Sequence, residues 1–136
     1  MHHGTGHRAR VAGTVLRSLL AAVFLVAGAM KLAGTEFEVS GFRRFEYDLW
    51  LMYAVGAAQV LGGAALLVRG YAALGAGLLA VIMVGAVASH LRAGDSPAMA
   101  LPALILFLLL AFVAYAQRRR LRAAALAIAE DPDRAP

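Results

Sequence analysis

Three long stretches without a charged residue constrain the fold of this chain more than any other feature. They cover residues 49–68, 71–89 and 96–117. About 20 mostly apolar residues, rising 1.5 Å each, are enough for a helix to cross the hydrocarbon core of a membrane. Ala and Leu dominate the stretches, and none shows the alternation of polar and apolar residues that is typical of a spanning strand. The sequence therefore predicts three membrane-spanning helices.

The composition excludes a soluble globule. Hydrophobic residues make up 62% and charged residues 15% of the 136 positions, whereas soluble domains have roughly 45–50% and about 25%. Because a small domain buries only about two thirds of its unfolded surface, much of this apolar material would face water. Cysteine is absent, which excludes disulfides, cysteine-ligated clusters and thiol relays.

The N-terminal segment has two interpretations. The thirteen residues 18–30 lie between two cations, Arg17 and Lys31, and have the length of the apolar core of a signal peptide. Alternatively, a helix over 11–33 spans the membrane, and both cations extend their charged ends to the interfaces. We favour the helix because a fourth span brings the basic run 118–122 to the same side as the basic N-terminus.

These segments predict an all-α integral membrane four-helix bundle. The connections after the second and third spans are short, so neighbouring spans are antiparallel and the order is up-down-up-down. The predicted segments are a flexible N-terminus (1–10), a bundle (11–117) with spans at about 11–33, 49–68, 71–91 and 98–117, an outer loop (34–48), and a basic then acidic tail (118–136).

The cations orient this bundle. One side of the predicted topology holds nine of them: Arg8, Arg10, Arg17, Arg69, Arg118, Arg119, Arg120, Arg122 and Arg134. The other side holds four: Lys31, Arg43, Arg44 and Arg92. Since basic residues concentrate in the cytoplasm, we predict a multi-pass protein of the plasma (inner) membrane with both termini cytoplasmic. The basic run near the C-terminus is then an anchor, and nothing in its pattern indicates a nucleic-acid partner.

Small residues and amphipathic spacing supply two finer predictions. The string GAGLLA at 75–80 matches a dinucleotide-binding pattern, but it lies inside a span and follows no strand, so we interpret its glycines as helix-packing residues. In the outer loop, Phe42, Phe45 and Leu49 share one helical face, which predicts a short helix on the membrane surface.

Polar residues within or beside the spans are the candidate binding site. Lys31 and His90 end two spans at the outer face, where Asp48 begins another, and Gln59 lies about 15 Å deeper, near the midplane. Gly28, one turn below Lys31, would leave room for a ligand. Such a pocket, apolar with a polar mouth, suits an amphiphile such as a quinone or a lipid, and an imidazole can move a proton near neutral pH.

A purely structural interpretation stays open for each of these residues. A lysine at the rim can extend to the interface, a histidine there can bond a loop carbonyl, and a glutamine within a span can join two helices. His2, His3 and His7 form a weak metal-capable cluster for which incidental binding is the simpler interpretation. We therefore assign no metal site and no catalytic residue.

Short apolar motifs along the chain resemble those of a known family. They are Arg17 with FLVAGAMKL at 24–32, GAAQVLGG at 56–63, MVGA at 83–86 with His90-Leu91-Arg92, and Leu101-Pro102-Ala103. The chain resembles, over about 17–117, the DoxX-like family of small four-helix integral membrane proteins. Some members are subunits of thiosulfate:quinone oxidoreductase, and others accompany redox enzymes. The position of Gln59 is commonly Glu in the family, and Gln keeps the hydrogen bonds but carries no proton.

The resemblance implies a small membrane subunit that supports a quinone-linked membrane oxidoreductase. The expected partners are membrane lipids and a redox enzyme subunit within an oligomer or complex, with a quinone as the candidate cofactor. One alternative is binding or transport of a small hydrophobic molecule or lipid without redox chemistry. Another is a purely structural role in a membrane complex. The sequence leaves open whether the chain is an enzyme.

Overall fold

The computed structural model describes residues 3–130, without the side chains of His3 and Ala124, and in that range it contains five helices and no strand. The helices are α1 (His3–Leu32), α2 (Glu36–Arg44), α3 (Leu49–Leu66), α4 (Ala72–Arg92) and α5 (Pro97–Glu130). All except α2 are long and apolar enough to cross a membrane. The predicted all-α bundle with four spans is confirmed.

The first and last helices extend beyond the predicted spans. Residues 3–10, for which we predicted a flexible terminus, are the first turns of α1. The tail predicted from residue 118 continues α5 as far as Glu130, because it consists mainly of Ala, Arg and Leu, which favour helix. The 34 residues of α5 extend about 51 Å, more than the ~30 Å hydrocarbon core. The last six residues of the predicted tail lie outside the described residues.

Consecutive spans pack against each other, α1 on α3, α3 on α4 and α4 on α5, whereas α1 and α5 meet at few positions. Glycines allow the close approaches. A Cβ atom added to Gly28 would lie 2.7 Å from the carbonyl oxygen of Gly56, and one added to Gly75 would lie 2.7 Å from that of Gly62. Gly77 has nothing within 4 Å of such an atom. The packing interpretation of the 75–80 string is therefore correct for Gly75 and wrong for Gly77.

The bundle has an apolar core and one structured end. The core occupies the middle of the spans and the half nearer the termini, and its largest fully buried members there include Phe24, Leu66, Leu79 and Leu110. At the opposite end, α1 and α4 finish, α3 and α5 begin, and α2 lies between α1 and α3. We call this the α2 end. The short helix predicted from Phe42, Phe45 and Leu49 is α2, but it stops at Arg44. Of the three residues only Phe42 lies on it, because Phe45 follows its last residue and Leu49 begins α3.

Three left-handed residues close the helices at the α2 end. They are Gly34, Glu46 and Gly94, with φ angles of 64°, 62° and 73°. After each one, the next backbone N–H donates to the carbonyl five residues earlier: Thr35 to Met30 at 3.1 Å, Tyr47 to Phe42 at 2.9 Å, and Asp95 to His90 at 3.1 Å. This pattern is the Schellman helix ending. It fixes the backbone of Tyr47 and Asp95 immediately after a helix.

Candidate functional site

A cavity of about 720 Å³ lies at the α2 end, between α2, α3 and α4. Its volume is within the range of roughly 300–1,000 Å³ that is typical of small-molecule sites. Apolar side chains line most of it: Phe37, Phe42, Phe45, Leu51, Val55, Ile82, Met83 and Met99. The polar side chains that line it are Lys31, Glu38, Ser40, Arg44, Tyr47, Gln59, Ser89 and His90.

Two arginines hold α2 over this cavity. The Nη1 and Nη2 atoms of Arg44 donate to the two carboxylate oxygens of Asp95 at 2.7 and 2.9 Å. Arg92 donates to the backbone carbonyl of Phe45 at 2.7 Å. The guanidinium of Arg44 also lies 4.5 Å from the ring centre of Phe45, and that of Arg92 lies 4.7 Å from the ring centre of Tyr47. Together these contacts join α2 and the residues after it to the α4–α5 turn.

Asp95 receives a second donor from the last turn of α4. The Nδ1 atom of His90 lies 2.7 Å from Oδ2 of Asp95. The hydrogen bonds from Arg44, and secondly the one from His90, lower the pKa of Asp95 to about 2. The hydrogen bonds to Asp95 in turn raise the pKa of Arg44. An ionised carboxylate accepts a hydrogen bond from the Nδ1–H group, so Nε2 of a neutral His90 is left as an acceptor.

A short hydrogen-bond chain joins Tyr47, in the connection between α2 and α3, to α4. The hydroxyl of Tyr47 lies 2.8 Å from Oγ of Ser89, and that Oγ donates to the carbonyl of Gly85 at 2.8 Å. Because the single proton of Ser89 is used in this way, Tyr47 is the donor in the first bond. Both hydroxyl groups are therefore hydrogen-bonded without a ligand.

Lys31 and Glu38 form an ion pair between α1 and α2. The Nζ atom of Lys31 lies 3.1 Å from Oε2 of Glu38, and the two side chains are only 11% and 13% exposed. The side chain of Lys31 passes α3 at Gly56. A Cβ atom added to Gly56 would lie only 2.7 Å from the Cβ of Lys31. Glycine at position 56 thus makes room for the lysine that lines the cavity.

Gln59 is the polar residue of the cavity that lacks a partner. The residue is 4% exposed, and its Oε1 atom is buried with no hydrogen-bond partner among the described residues. A buried amide without a partner costs about 1–3 kcal/mol. A free polar group in a cavity wall is therefore a candidate ligand contact.

The structure brings together three of the four predicted ligand-binding residues. Lys31, Gln59 and His90 line the same cavity. Gly28 does not: it packs against Gly56 and Val60, and an added Cβ would lie 2.8 Å from Cγ2 of Val60. The room that we expected beside Gly28 is filled by α3, because the backbones of α1 and α3 approach closely at this point.

The sequence analysis missed the acids that pair with Lys31 and His90. We placed Asp48 at the mouth of the pocket, but it is exposed at the start of α3, and its side chain makes no capping hydrogen bond. The acids in place are Glu38 and Asp95. A signal for Asp95 was present in the sequence, because a glycine directly after a helix predicts a Schellman turn, which brings the following residue back to the helix end.

A second, smaller cavity of about 330 Å³ lies between α3 and α4 near the connection at 67–71. Leucine, valine, alanine and glycine residues line it together with Tyr71, and it offers no group for chemistry. Within the described residues no group of three or more His, Asp or Glu side chains is placed to hold a metal ion.

Fold and site together define a small four-span membrane protein with an apolar, polar-edged cavity beneath a surface helix. The chain belongs to the DoxX-like family, because the sequence profile of that family matches residues 15–112. The chain is 35% identical over 98 residues to the uncharacterized protein YdgD of Bacillus subtilis (strain 168), an alignment that covers 68% of this chain and 86% of the relative. No solved structure matches the chain. The predicted family membership is confirmed.

Proposed function

We propose that this protein is a membrane subunit that binds a quinone in the cavity at the α2 end and supports a quinone-linked membrane oxidoreductase. The observation that carries the proposal is the cavity, with a volume of about 720 Å³. Aromatic and aliphatic walls with a few polar groups are typical of sites for such molecules. Family membership supports the role of a subunit by analogy.

The residues of the cavity fit a quinone. The rings of Phe42 and Phe45 offer flat apolar walls, and the amide of Gln59 offers a donor and an acceptor for an oxygen of the ring. A bound quinone supplies transfer of two electrons coupled to two protons. Of the protein groups, His90 is suited to hold a proton at Nε2, since Asp95 fixes its Nδ1.

The second candidate is binding or transport of a small hydrophobic molecule or lipid without redox chemistry. Position 59 favours it, because the amide of Gln59 cannot carry the proton of the carboxylate that is common there in the family. A purely structural subunit is the remaining alternative. Neither the proposal nor these alternatives requires that the chain itself be an enzyme.

The proposal includes an orientation in the plasma (inner) membrane. An even number of spans places the two termini on one side. The larger share of the arginines lies on that side. The tendency of basic residues to stay in the cytoplasm supports cytoplasmic termini, and it supports an α2 end that faces outward.

Purification in a mild detergent tests the proposal. We expect an organic extract of the purified protein to contain a quinone at near-stoichiometric amounts, and a redox enzyme to co-purify. Gln59→Leu and His90→Ala should each weaken quinone binding by about 1–3 kcal/mol, as expected for a lost buried hydrogen bond. Gln117→Leu, at the other end of the bundle, is the matched control.

The alternatives give different outcomes in the same experiment. Recovery of lipid or another apolar molecule in place of quinone would favour the non-redox candidate. A structural role predicts that Gln59→Leu changes the thermal midpoint of the bundle and that no variant alters ligand content. Quinone content equal in wild type and both cavity variants would contradict the proposed site.

A further inference from the structure

The charged groups that line the cavity are already paired. Lys31 pairs with Glu38 at 3.1 Å, and Arg44 pairs with Asp95 at 2.7 Å. The cavity therefore has no net charge when His90 is neutral. A charged ligand would lack a free counter-charge in this apolar site, and desolvation of an uncompensated charge is strongly unfavourable.

The hydroxyl groups are also engaged. Ser89 donates to Gly85, Tyr47 bonds to Ser89, and Ser40 donates to the carbonyl of Phe37 at 2.9 Å. Gln59 differs from all of these. Among the polar side chains that line the cavity, it alone makes neither a hydrogen bond nor an ion pair with any residue between 3 and 130.

We infer that the cavity selects an uncharged, largely apolar molecule that carries a carbonyl or hydroxyl group, and that this group contacts the amide of Gln59. The amide can donate to a carbonyl and accept from a hydroxyl. The inference rests on the proposed binding function and narrows it, because fatty acids and anionic lipid headgroups are excluded as occupants. It also assigns Gln59 a role in ligand selection.

Five probes with one decyl tail on one six-membered ring test this selectivity. 4-Decylphenol supplies a hydroxyl, 4-decylacetophenone a carbonyl, 4-decylbenzoate a charge, and decylbenzene no polar group; decylbenzoquinone represents the ligand of the proposed function. Binding is measured on the full chain in nanodiscs of neutral lipid, by native mass spectrometry and by the thermal shift. The comparison between the phenol and the ketone shows whether the amide acts as acceptor or donor.

The expected result is that the phenol or the ketone binds about tenfold more tightly than decylbenzene, as one satisfied buried hydrogen bond provides. Decylbenzoate should bind no better than decylbenzene. Gln59→Met, which keeps the length of the side chain but removes the amide, should abolish the tenfold preference and leave decylbenzene binding unchanged. Gln117→Met should leave every affinity unchanged. A thermal midpoint of free Gln59→Met that is no lower than that of wild type excludes misfolding, since the variant removes an unpartnered buried amide.

Two results would overturn the inference without touching the proposed function. One is decylbenzoate binding as tightly as the phenol and the ketone. The other is that Gln59→Met still binds the phenol or the ketone about tenfold more tightly than decylbenzene, while decylbenzoquinone also still binds. Absence of binding by all five probes, decylbenzoquinone included, would instead remove the proposed function itself.

Discussion

Asp95 joins three parts of the α2 end, because its carboxylate accepts from Arg44 on α2 and from His90 on α4 while its backbone closes α4. Its pKa falls from an ordinary value of 3.8 to about 2. The folded protein therefore binds this proton less readily than the unfolded chain does. The stabilisation of the fold by the ionised Asp95 carboxylate is complete above about pH 4 and is lost as the pH falls towards 2.

We predict that the thermal midpoint of the protein in detergent decreases between pH 4 and pH 2, and that Asp95→Asn flattens this part of the curve. The variant should be less stable than wild type at pH 6, and the difference should shrink at pH 2. Asp48→Asn is the control, because that carboxylate is exposed and makes no capping hydrogen bond. Parallel curves for wild type and Asp95→Asn would contradict the assignment.

The buried pair of Lys31 and Glu38 gives a second prediction. Lys31→Met leaves the carboxylate of Glu38, which is 13% exposed, without its counter-charge. Loss of one partner of a buried ion pair costs about 3–5 kcal/mol, whereas removal of both costs much less. Lys31→Met should therefore be less stable to detergent denaturation than the double variant Lys31→Met/Glu38→Gln.

The control for this pair is Glu36→Gln, on the exposed first turn of α2. It should not relieve the loss caused by Lys31→Met. If the changes in free energy of unfolding caused by Lys31→Met alone and by Glu38→Gln alone simply add in the double variant, the two side chains are not coupled and the pair has no role in holding α2.

The sequence identified cavity residues within spans better than residues beside them. Lys31, Gln59 and His90 stand out because polar groups are rare in apolar helices. Glu38 and Asp95 lie in polar segments where acids are ordinary, so composition does not mark them. The place of Glu38 in the site depends on how α2 folds back over the bundle, which is a tertiary property that no local pattern records. For Asp95 the only local signal is the glycine that precedes it.

At the scale of helices, glycine pairs set how closely the spans approach. Gly75→Ala should lower the free energy of unfolding by about 1–3 kcal/mol, as overpacking does, since its Cβ would meet Gly62 and Ala65 within 2.8 Å. Gly77→Ala on the same helix should cause no loss, because nothing lies within 4 Å. Denaturation of both variants in the same detergent measures the difference, and equal losses would contradict the α3–α4 contact.

The existence of the helices was predictable, but their ends were less so. Hydropathy alone defines three of the four spans, because a membrane helix must be apolar over about 20 residues. The first span also required the distribution of the basic residues. The stop of α2 at Arg44 was missed because Glu46 adopts the left-handed conformation with φ 62°, which a residue with a side chain seldom does. A helix at 3–10 was missed because its glycines and histidines disfavour it in isolation.

For the whole molecule, the cavity and the excess of cations lie at opposite ends. The cavity lies at the α2 end, and α5 carries four arginines, at 118, 119, 120 and 122, near its opposite end. A helix that is longer than the hydrocarbon core can carry such residues into the polar layer of the membrane. We therefore expect these arginines to hold their end of the bundle at one membrane surface, with the cavity near the other.

The orientation is testable because the chain contains no cysteine, so each introduced thiol is unique. We predict that a membrane-impermeant maleimide labels Arg43→Cys on α2 from outside the plasma membrane. It should label Arg69→Cys, in the connection between α3 and α4, only after the membrane is opened. Thr14→Cys, within the first span, is the control that should stay unlabelled in the intact membrane. Labelling of the first two positions from the same side would contradict a four-span bundle, because α3 alone separates them in the chain.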